Sequence, residues 1–300
     1  MEITKKQHYV FQSYLKGFSI DKEESNKMVW VYDKEVSKST APKFPKSVAS
    51  ICHSVFYYGQ SPEGDDIYEK KFQELESKVA PVIKNLDLNT EDYIKITGES
   101  KGLLALMIGL SMTRVPSFRD GIEDLHKKSV ETILHNNYLN LKGPNGEDFS
   151  EFMDKYKIGV EIEKWVSLEP MIKVAQMIGE SILSKTWMFL KSPDGINFIT
   201  SDNPVSYSYP SEVFGENPYV GPAHPLCEII FPLKKNLVLV CTPLSSELNM
   251  RVLKSNSQEV KRINRKTALS ARKYIVSDIQ SDALARMVKK LKGTEQAIRC

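Results

Sequence analysis

The sequence predicts an α+β fold, in which a mixed or antiparallel sheet is built from the N- and C-terminal segments around a large helical insertion. Two observations predict it. Residues 66–185 follow helical periodicity, whereas runs rich in β-branched and aromatic side chains lie before and after them. We therefore expect a single domain over residues 1–300, with residues 1–65 and 186–300 as the β-containing core.

The N-terminal part of that core contains a short helical segment and a strand. Residues 7–18, QHYVFQSYLKGF, place His8 and Gln12 four positions apart among apolar side chains, which is typical of a short helix or of a turn leading into one. The run KMVWVYDK, residues 27–34, predicts a strand.

The insertion predicts several helices of different character. Residues 66–86 are amphipathic, and Pro81 is expected to bend or interrupt the helix. Residues 103–112 are almost wholly apolar, which predicts a buried helix that is too short to cross a bilayer. Residues 159–186 predict a long helix with a kink or break before Pro170.

The C-terminal part returns to strands. Residues 187–191 and 196–200 flank SPDG and predict a hairpin, and residues 205–226, rich in Pro, Tyr and Gly, predict a long irregular loop. The remaining expectations are a second hairpin over 227–243, a helix over 257–273, a strand over 273–277 and a basic helix over 281–291.

Composition excludes several classes of protein. The 300 residues carry 41 Lys and Arg against 38 Asp and Glu, so the net charge of +3 does not require a nucleic-acid partner. No apolar run is long enough for a membrane span or a signal peptide, and the four cysteines are scattered, so we expect a cytoplasmic protein without a disulfide framework or a cysteine-based zinc site. The motifs of P-loop nucleotide-triphosphatases, dinucleotide enzymes, α/β-hydrolases and zincins do not occur.

The stretch SDNP after residues 196–200 is the first candidate for chemistry. Asp202 could accept a proton, orient a base or bind a metal ion, and Asn203 could donate to a developing oxyanion beside Ser201. The alternative is that Asp-Asn-Pro only forms a good turn, because both side chains bond readily to local amides.

Four other polar residues are candidates for the same site. His8 is a general base or acid by residue type, since an ordinary histidine pKa of about 6.5 suits proton transfer, and Gln12 shares its helical face. Glu76 flanks the apolar stripe of its helix, and Arg114 follows the most apolar helix and could hold an anion. The alternatives are a histidine bonded to the backbone, a solvated surface carboxylate and a helix C-terminal arginine.

Several separated elements resemble the bacterial domain of unknown function 4238 family. They are HYVFQSYLKGF, VWVYDK, FITSDNPV, IIFPLKKNLVLV and INRKTALSARKYIVS, in the same order as in the family, whereas residues 115–185 contribute little. His8, Gln12, Tyr14 and Leu15 match the family's opening pattern, and Phe11 replaces a proline that many members have. No settled activity comes with the resemblance, but membership of such families in mobile or defence gene neighbourhoods implies a nucleotide or nucleic-acid target by analogy.

The resulting prediction is a hydrolase or nuclease-type enzyme, acting on a nucleotide or nucleic acid in phage defence or as a toxin. His8, Asp202 and Glu76 would handle protons or a divalent metal ion, while Gln12, Arg114, Ser201 and Asn203 would bind the anionic substrate.

Two alternatives stay open. The chain could be a non-catalytic binding or sensor module with an aromatic loop, using Tyr207, Tyr209, Phe214 and Tyr219. It could also be an RNA-binding effector with a basic C-terminal region, in which Lys261, Arg262 and Arg265 contact phosphates.

Overall fold

The protein is described by a computed structural model. The residues that it describes are 5–20, 26–36, 38–58, 67–86, 92–138, 141–215, 221–243 and 246–295.

Helices occupy most of the middle of the chain and return near its C-terminal end. They are α1 (Gln12–Lys16), α2 (Ile67–Lys84), α3 (Gly98–Thr113), α4 (Pro116–Tyr138), α5 (Phe149–Lys155), α6 (Leu168–Leu183), α7 (Ser211–Phe214), α8 (Ser257–Ser270) and α9 (Asp282–Lys290).

Strands lie on both sides of this helical region. They are β1 (Lys6–His8), β2 (Met28–Asp33), β3 (Lys46–Ser47), β4 (His53–Val55), β5 (Thr186–Lys191), β6 (Thr200–Ser201), β7 (Ser206–Ser208), β8 (Glu228–Lys234), β9 (Leu237–Thr242), β10 (Val252–Lys254) and β11 (Tyr274–Ser277).

The described strands form three open sheets, which confirms the predicted α+β class. β1 pairs with β4; a five-stranded sheet has the order β10-β5-β9-β8-β7; and a four-stranded sheet has the order β3-β2-β11-β6. Among the strand pairs of the described ranges, only that of β10 with β5 is parallel. The four-stranded sheet joins the two ends of the chain, since β2 from the N-terminal part lies beside β11.

The five-stranded sheet is buried on both faces. Along β9, Leu239 contacts the main core with α3 and α6, whereas its neighbour Val240 packs with Val260 and Ile263 of α8. Since successive side chains of a strand point to opposite faces, a continuous apolar run such as LVLVC is what a sheet covered on both sides requires.

The four-stranded sheet is also covered on both faces. Val31 and Val276 belong to the main core, whereas Tyr32 and Ile275 pack beneath α8 and α9. The connection from α8 to β11 therefore lies between two hydrophobic clusters, and this connection positions the candidate site.

Two predictions are wrong, one about the pairing of a strand and one about the residue at which a helix begins. β5 does not pair with residues 196–200 as a hairpin; it pairs with β9 and β10, and Thr200–Ser201 joins the other sheet beside β11. The predicted long helix begins only at Leu168, so that Pro170 lies in its first turn, where a missing backbone N–H breaks no helical hydrogen bond.

Other expectations needed smaller changes. α2 is not interrupted by Pro81 and continues to Lys84. The predicted irregular loop contains β7 and α7, with residues 216–220 outside the described part. The second hairpin, α8, β11 and α9 are confirmed, and the Ser281 side chain caps α9 by accepting from the N–H of Leu284.

No described helix combines the length and the apolar character that crossing a membrane requires.

Candidate functional site

The carboxylate of Asp202 accepts hydrogen bonds from the backbone of the connection between α8 and β11. One carboxylate oxygen accepts from the backbone N–H of Arg272 over 3.0 Å, and the other accepts from the N–H groups of Lys273 and Tyr274 over 2.8 and 3.0 Å. The backbone N–H of Asp202 in turn donates to the carbonyl oxygen of Tyr274. The aspartate is almost fully buried, at 3% exposure, so these bonds replace its hydration and fix the backbone of residues 272–274.

The neighbours of Asp202 complete this turn. The Ser201 hydroxyl donates to the carbonyl oxygen of Asn203 and accepts from its N–H, and the Asn203 amide donates to the carbonyl oxygen of Ser270 over 3.0 Å. All three side chains of the SDN stretch therefore bond to protein groups, but only Ser201 bonds within the turn, whereas Asp202 and Asn203 bond to the end of α8 and the segment after it and not to the local amides that the turn interpretation predicted.

A buried cation lies at the same helix end. The Nζ atom of Lys34 donates to the carbonyl oxygens of Ala268, Ala271 and Thr294 over 2.9, 2.7 and 2.6 Å. Burial lowers the pKa of Lys34, and the negative charge of Asp202 acts in the opposite direction. A lysine inside the C-terminal turn of α8 satisfies carbonyl groups that the helix leaves unpaired and complements its dipole.

Burial raises the pKa of Asp202 to about 6, although the three backbone N–H groups pull it the other way. A carboxyl group that titrates near neutral pH is unusual, and such groups are concentrated at functional sites.

His8 ends β1 and faces another histidine. The rings of His8 and His53 lie edge to face with centroids 5.3 Å apart, since the two residues are paired across β1 and β4. Burial lowers the pKa of His8 to about 4, the charge of His53 adds to this effect, and the backbone of Ala49 opposes it. His8 is thus neutral at physiological pH and a much weaker base than its residue type suggests.

Gln12 and Glu76 lie around the start of α1. The Gln12 amide is 3.2 Å from Nδ1 of His8, but the two residues do not share a helical face as predicted, because His8 ends β1 and α1 begins at Gln12. An oxygen of Glu76 accepts from the backbone N–H of Ser13 over 2.6 Å. Glu76 therefore supplies the acceptor that α1 lacks locally, because Phe11 at the N-cap position has no side-chain acceptor.

Arg114 is buried and bonded to the protein through its guanidinium. Its Nε donates to the Tyr58 hydroxyl over 2.7 Å and its Nη2 to the carbonyl oxygen of His8 over 2.6 Å. The guanidinium carbon lies 4.1 Å from the ring centre of Phe11 and 4.4 Å from that of Phe72. These contacts tie α3 to β1, whereas the buried Nη1 atom has no hydrogen-bond partner among the described residues.

Asp202 lines a polar cavity of about 340 Å³. Its walls come from the β1–β4 pair and the segment after β4, the residues that follow β2 and β6, the first turns of α4, the segment before α6, and the α8–β11 connection. The lining residues are Tyr9, Glu35, Ser54, Tyr57, Pro116, Arg119, Asp120, Glu123, Lys164, Asp202, Arg272 and Lys273.

The cavity is rich in charge, with four basic and four acidic residues on its walls. Arg272 pairs with Asp120 over 2.5 Å and Lys273 with Glu35 over 3.1 Å. These pairs are partly exposed, and exposed pairs contribute only about 0–1 kcal/mol each, so an anionic ligand could replace the carboxylates.

Glu123 is a second carboxyl group with a raised pKa on these walls. Burial is the main cause, the nearby charge of Arg119 opposes it, and Ser167 donates a weak hydrogen bond over 3.4 Å. The side chain is still 26% exposed. Glu123 therefore combines a raised pKa with a side chain that a ligand can reach. The pKa of Asp202 is also raised, but its carboxylate is almost fully buried and bonded to three backbone N–H groups, so a ligand cannot reach it.

Arg119 holds the cavity wall together. Its Nε donates to Ser167, its Nη2 donates to the carbonyl oxygen of Lys164 over 2.7 Å, and its Nη1 donates to the carbonyl oxygen of Tyr57. The guanidinium also lies over the Tyr57 ring, 4.6 Å from its centre. Arg119 thereby fixes α4 to two neighbouring segments.

The fold divides the predicted site residues between two places. His8, Gln12, Glu76 and Arg114 surround the β1–α1 junction, and among the described residues none of them lines the polar cavity, whereas Asp202 does. Tyr9 connects the two places: it follows His8, lines the cavity, and has its pKa raised by burial and by the charges of Cys52 and Asp202.

Sequence reasoning missed Glu123, Lys164, Arg272 and Lys273 as parts of a site. The only local signal was the basic pair directly before the last strand, in ARKYIVS. Glu123 and Lys164 belong to residues 115–185, which contribute little to the family resemblance.

The features behind the alternative functions are partly described. Tyr207 and Tyr209 pack against the main core with ring centres 5.7 Å apart, so they do not form a projecting pair. Tyr219 and the side chain of Phe214 lie outside the described residues. On α8, Lys261 and Arg265 are exposed and Arg262 pairs with Glu259 over 2.7 Å, as on an ordinary solvated helix face.

Within the described ranges, no group of three or more His, Cys, Asp and Glu side chains is arranged to hold a metal ion.

Comparison with known proteins identifies a family and nothing further. The family model described as "Protein of unknown function (DUF4238)" matches residues 6–281, which is 276 of the 300 residues. No curated protein and no solved structure matches the chain.

Proposed function

Since the chain belongs to the DUF4238 family, which supplies no activity, we propose from its own residues that it is a hydrolase for a small anionic substrate of nucleotide type. The observation that carries this proposal is the polar cavity, which combines Glu123, a carboxyl with a raised pKa, with the basic side chains of Lys164, Arg272 and Lys273. A cavity of about 340 Å³ suits a small molecule, since ligand sites usually measure about 300–1,000 Å³.

The basic residues bind the anion in this proposal. Lys164, Arg272 and Lys273 approach the cavity from two segments, and α4 begins at Pro116 on its wall, with the positive end of its dipole there. Binding exchanges the exposed pairs of Arg272 with Asp120 and of Lys273 with Glu35 for pairs with the substrate.

Glu123 transfers the proton. In its protonated form it gives a proton to the leaving oxygen as the ester or phosphoester bond breaks, and the oxygen of a water molecule takes the vacated position. A proton from that water then restores the carboxyl group. The raised pKa favours this role because it increases the protonated fraction of the carboxyl group at any given pH.

Asp202 is a positioning residue rather than a proton carrier in this scheme. Its carboxylate bonds to the backbone of Arg272 and Lys273, the residues whose side chains line the cavity. Protonation of Asp202, whose pKa burial raises to about 6, makes the charge of the cavity more positive as the pH falls from 8 to 5.5.

The test compares turnover of nucleoside mono-, di- and triphosphates and of 4-nitrophenyl phosphate, with and without Mg²⁺, in wild type and Glu123→Gln. We expect turnover in wild type and a loss of about 100-fold or more in the variant, the usual contribution of a general acid. Glu131→Gln, on an exposed position of the same helix, is the matched control and should retain full activity. Equal activity of Glu123→Gln and Glu131→Gln would remove Glu123 from the reaction.

Binding is measured separately from turnover. Inorganic phosphate is titrated into wild type and Lys164→Gln by isothermal calorimetry at pH 5.5 and pH 8. The proposal requires weaker binding in the variant at both pH values. Phosphate binding without turnover of any substrate would instead support the binding or sensor alternative at this same cavity.

A further inference from the structure

The second half of α4 and the chain that follows it have no core of their own. From Glu123 to Val166, no residue that the structure describes is buried. The same stretch holds eight of the eighteen large apolar side chains that are exposed in the described part of the chain. Single exposed apolar residues are ordinary on a protein surface, whereas adjoining ones mark a site of association.

Four side chains adjoin in a stripe along α4. Ile122 is the last buried residue of this helix. His126, Val130, Ile133 and Leu134 follow it at intervals of three or four residues and therefore lie on the same face, which we call the α4 stripe. His126 and Leu134 are half-buried, whereas Val130 and Ile133 are 36% and 57% exposed. The face that packs against the body of the protein thus continues uncovered for about three further turns.

One edge of the α4 stripe is charged and the other is not. By helical geometry Lys127 and Glu131 lie one turn apart on the side of Leu134, and both side chains are exposed. Ser129 and Asn136 lie along the opposite edge. The helix therefore offers one positive and one negative charge on the same side of an apolar surface.

We propose that the α4 stripe is the contact between two copies of this chain, which pair through antiparallel α4 helices. A two-fold axis perpendicular to the helices, level with residues 129 and 130, places His126 against Ile133 of the partner subunit and brings the two Val130 side chains together. The apolar positions of the stripe are thus complementary to a second copy of themselves.

The charges of the stripe select the antiparallel direction. In an antiparallel two-fold pair the charged edge of each helix faces the charged edge of the other, so Lys127 meets Glu131 of the partner subunit, and this contact occurs twice. A parallel pair would turn the charged edge of one helix towards the uncharged edge of the other and leave both charges unpaired. A second copy in the antiparallel direction therefore complements α4 in its apolar surface and in its charge.

Sedimentation velocity of the full chain over a range of concentrations tests the pairing. We expect wild type to form a dimer of about twice the chain mass of 34.1 kDa. Ile133→Asp places a charge in the stripe and should raise the dissociation constant of the dimer at least about tenfold, because the charge occurs in both copies of the contact. Met177→Asp makes a similar change on α6, where the side chain is 60% exposed against 57% for Ile133, and should leave the dimer unchanged.

Charge reversal tests the direction of the helices. Lys127→Glu and Glu131→Lys each create two repelling contacts in the antiparallel pair, so each variant should dimerise about tenfold more weakly than wild type. In a mixed pair, one chain carries two negative charges at these positions and the other two positive charges, so both contacts become attractive. An equimolar mixture of the two variants should therefore regain the dimer, and isotope labelling of one variant identifies the mixed pair by native mass spectrometry.

Circular dichroism of each variant shows whether it is folded, so a loss of the dimer can be assigned to the stripe. A wild type that stays monomeric, an equal effect of Ile133→Asp and Met177→Asp, or a mixture that dimerises no better than its components would overturn the proposal. Because none of the substituted residues lines the polar cavity, the outcome is independent of phosphate binding and of turnover at Glu123.

Discussion

Arg114 donates a hydrogen bond from Nη2 to the backbone carbonyl oxygen of His8 over 2.6 Å, so these two residues meet through the main chain of β1 and not through the imidazole. The contact makes Arg114 part of the framework that holds β1, α1 and α3 together. Its flat guanidinium fits between the rings of Phe11 and Phe72 while it donates in two directions, and an ammonium group cannot reproduce both features.

Arg114→Lys should therefore lower the free energy of unfolding by about 2–4 kcal/mol, from lost charged hydrogen bonds and lost contact with the aromatic rings. Urea denaturation followed by circular dichroism measures the change. The matched variant Arg262→Lys, on the solvated face of α8, should cost less than about 0.5 kcal/mol. Similar costs for the two variants would mean that the buried contacts of Arg114 contribute nothing specific.

Asp202 should make the protein more stable in mild acid than an otherwise equal protein without this carboxyl group. Its pKa is raised from the ordinary 3.8 to about 6, so the folded state binds the proton more tightly than the unfolded chain does. That stabilisation is complete below the unfolded-state pKa and is lost as the pH rises through about 6. Its full size is about 3 kcal/mol for a shift of about two units.

The measurement compares wild type with Asp202→Asn, which cannot titrate. The variant is expected to be less stable at every pH, because its amide N–H₂ cannot accept from the backbone N–H groups of Lys273 and Tyr274. The difference in free energy of unfolding between the two proteins should be larger at pH 4 than at pH 7.5. A difference that grows with pH would show that the three N–H donors outweigh burial.

His8 should have the opposite pH dependence. Its pKa falls from the ordinary 6.5 to about 4 on folding, so protonation favours the unfolded chain, and stability is lost as the pH falls from 6.5 towards 4. Titration of the imidazole nitrogens by NMR should give a midpoint near 4. His53→Gln should move that midpoint upwards, yet leave it below 6.5, since burial is the main cause and the charge of His53 the second.

The control for this titration is His135→Gln, on an exposed position of α4. It should leave the His8 midpoint unchanged. A His8 midpoint at or above 6.5 in the wild-type protein would restore the histidine as an ordinary base at neutral pH and contradict the effect of burial.

Local patterns predicted most of the elements and few of the long-range contacts. The spacing of Val260, Ile263 and Thr267 reveals α8, and the continuous apolar run LVLVC reveals β9, because these signals lie within one element. The hairpin expected after Trp187 failed since β5 finds its partners in β9 and β10, about 50 and 65 residues further along the chain. A turn signal such as SPDG cannot show which strand competes for the pairing.

For the candidate site too, the local turn could be predicted from the sequence and the long-range contacts could not. The sequence identified the SDNP stretch as a candidate site or turn. The partners of Asp202, however, are the backbone N–H groups of residues 272–274, about 70 positions away. Every residue except proline has such a group, so the sequence cannot show which ones Asp202 will bind. The polar cavity is assembled from Glu123, Lys164 and Arg272, which lie in three separate segments. Each is an ordinary surface residue by type, and only the packing of α4 against its neighbours brings them together.

The contact between α3 and α6 depends on a glycine, and this dependence gives a sharp test of the fold. A Cβ atom at Gly109 would lie 2.1 Å from the carbonyl oxygen of Ala175, which is backbone and cannot rotate away. At Gly102, two turns earlier on the same helix, a Cβ atom would meet nothing within 4 Å. Gly109→Ala should therefore push the two helices apart and cost several kcal/mol, at or above the roughly 1–3 kcal/mol typical of overpacking.

Gly102→Ala is the matched substitution and should raise the free energy of unfolding by up to about 1 kcal/mol, because alanine has the higher helix propensity and no contact opposes it. Both variants gain the same helix propensity, so the difference between them isolates the approach of α6 to Gly109. Thermal and urea unfolding of the two proteins measure it. If Gly109→Ala were as stable as Gly102→Ala, the helices would not be in backbone contact at this point, and the arrangement of α3 and α6 described above would have to be rejected.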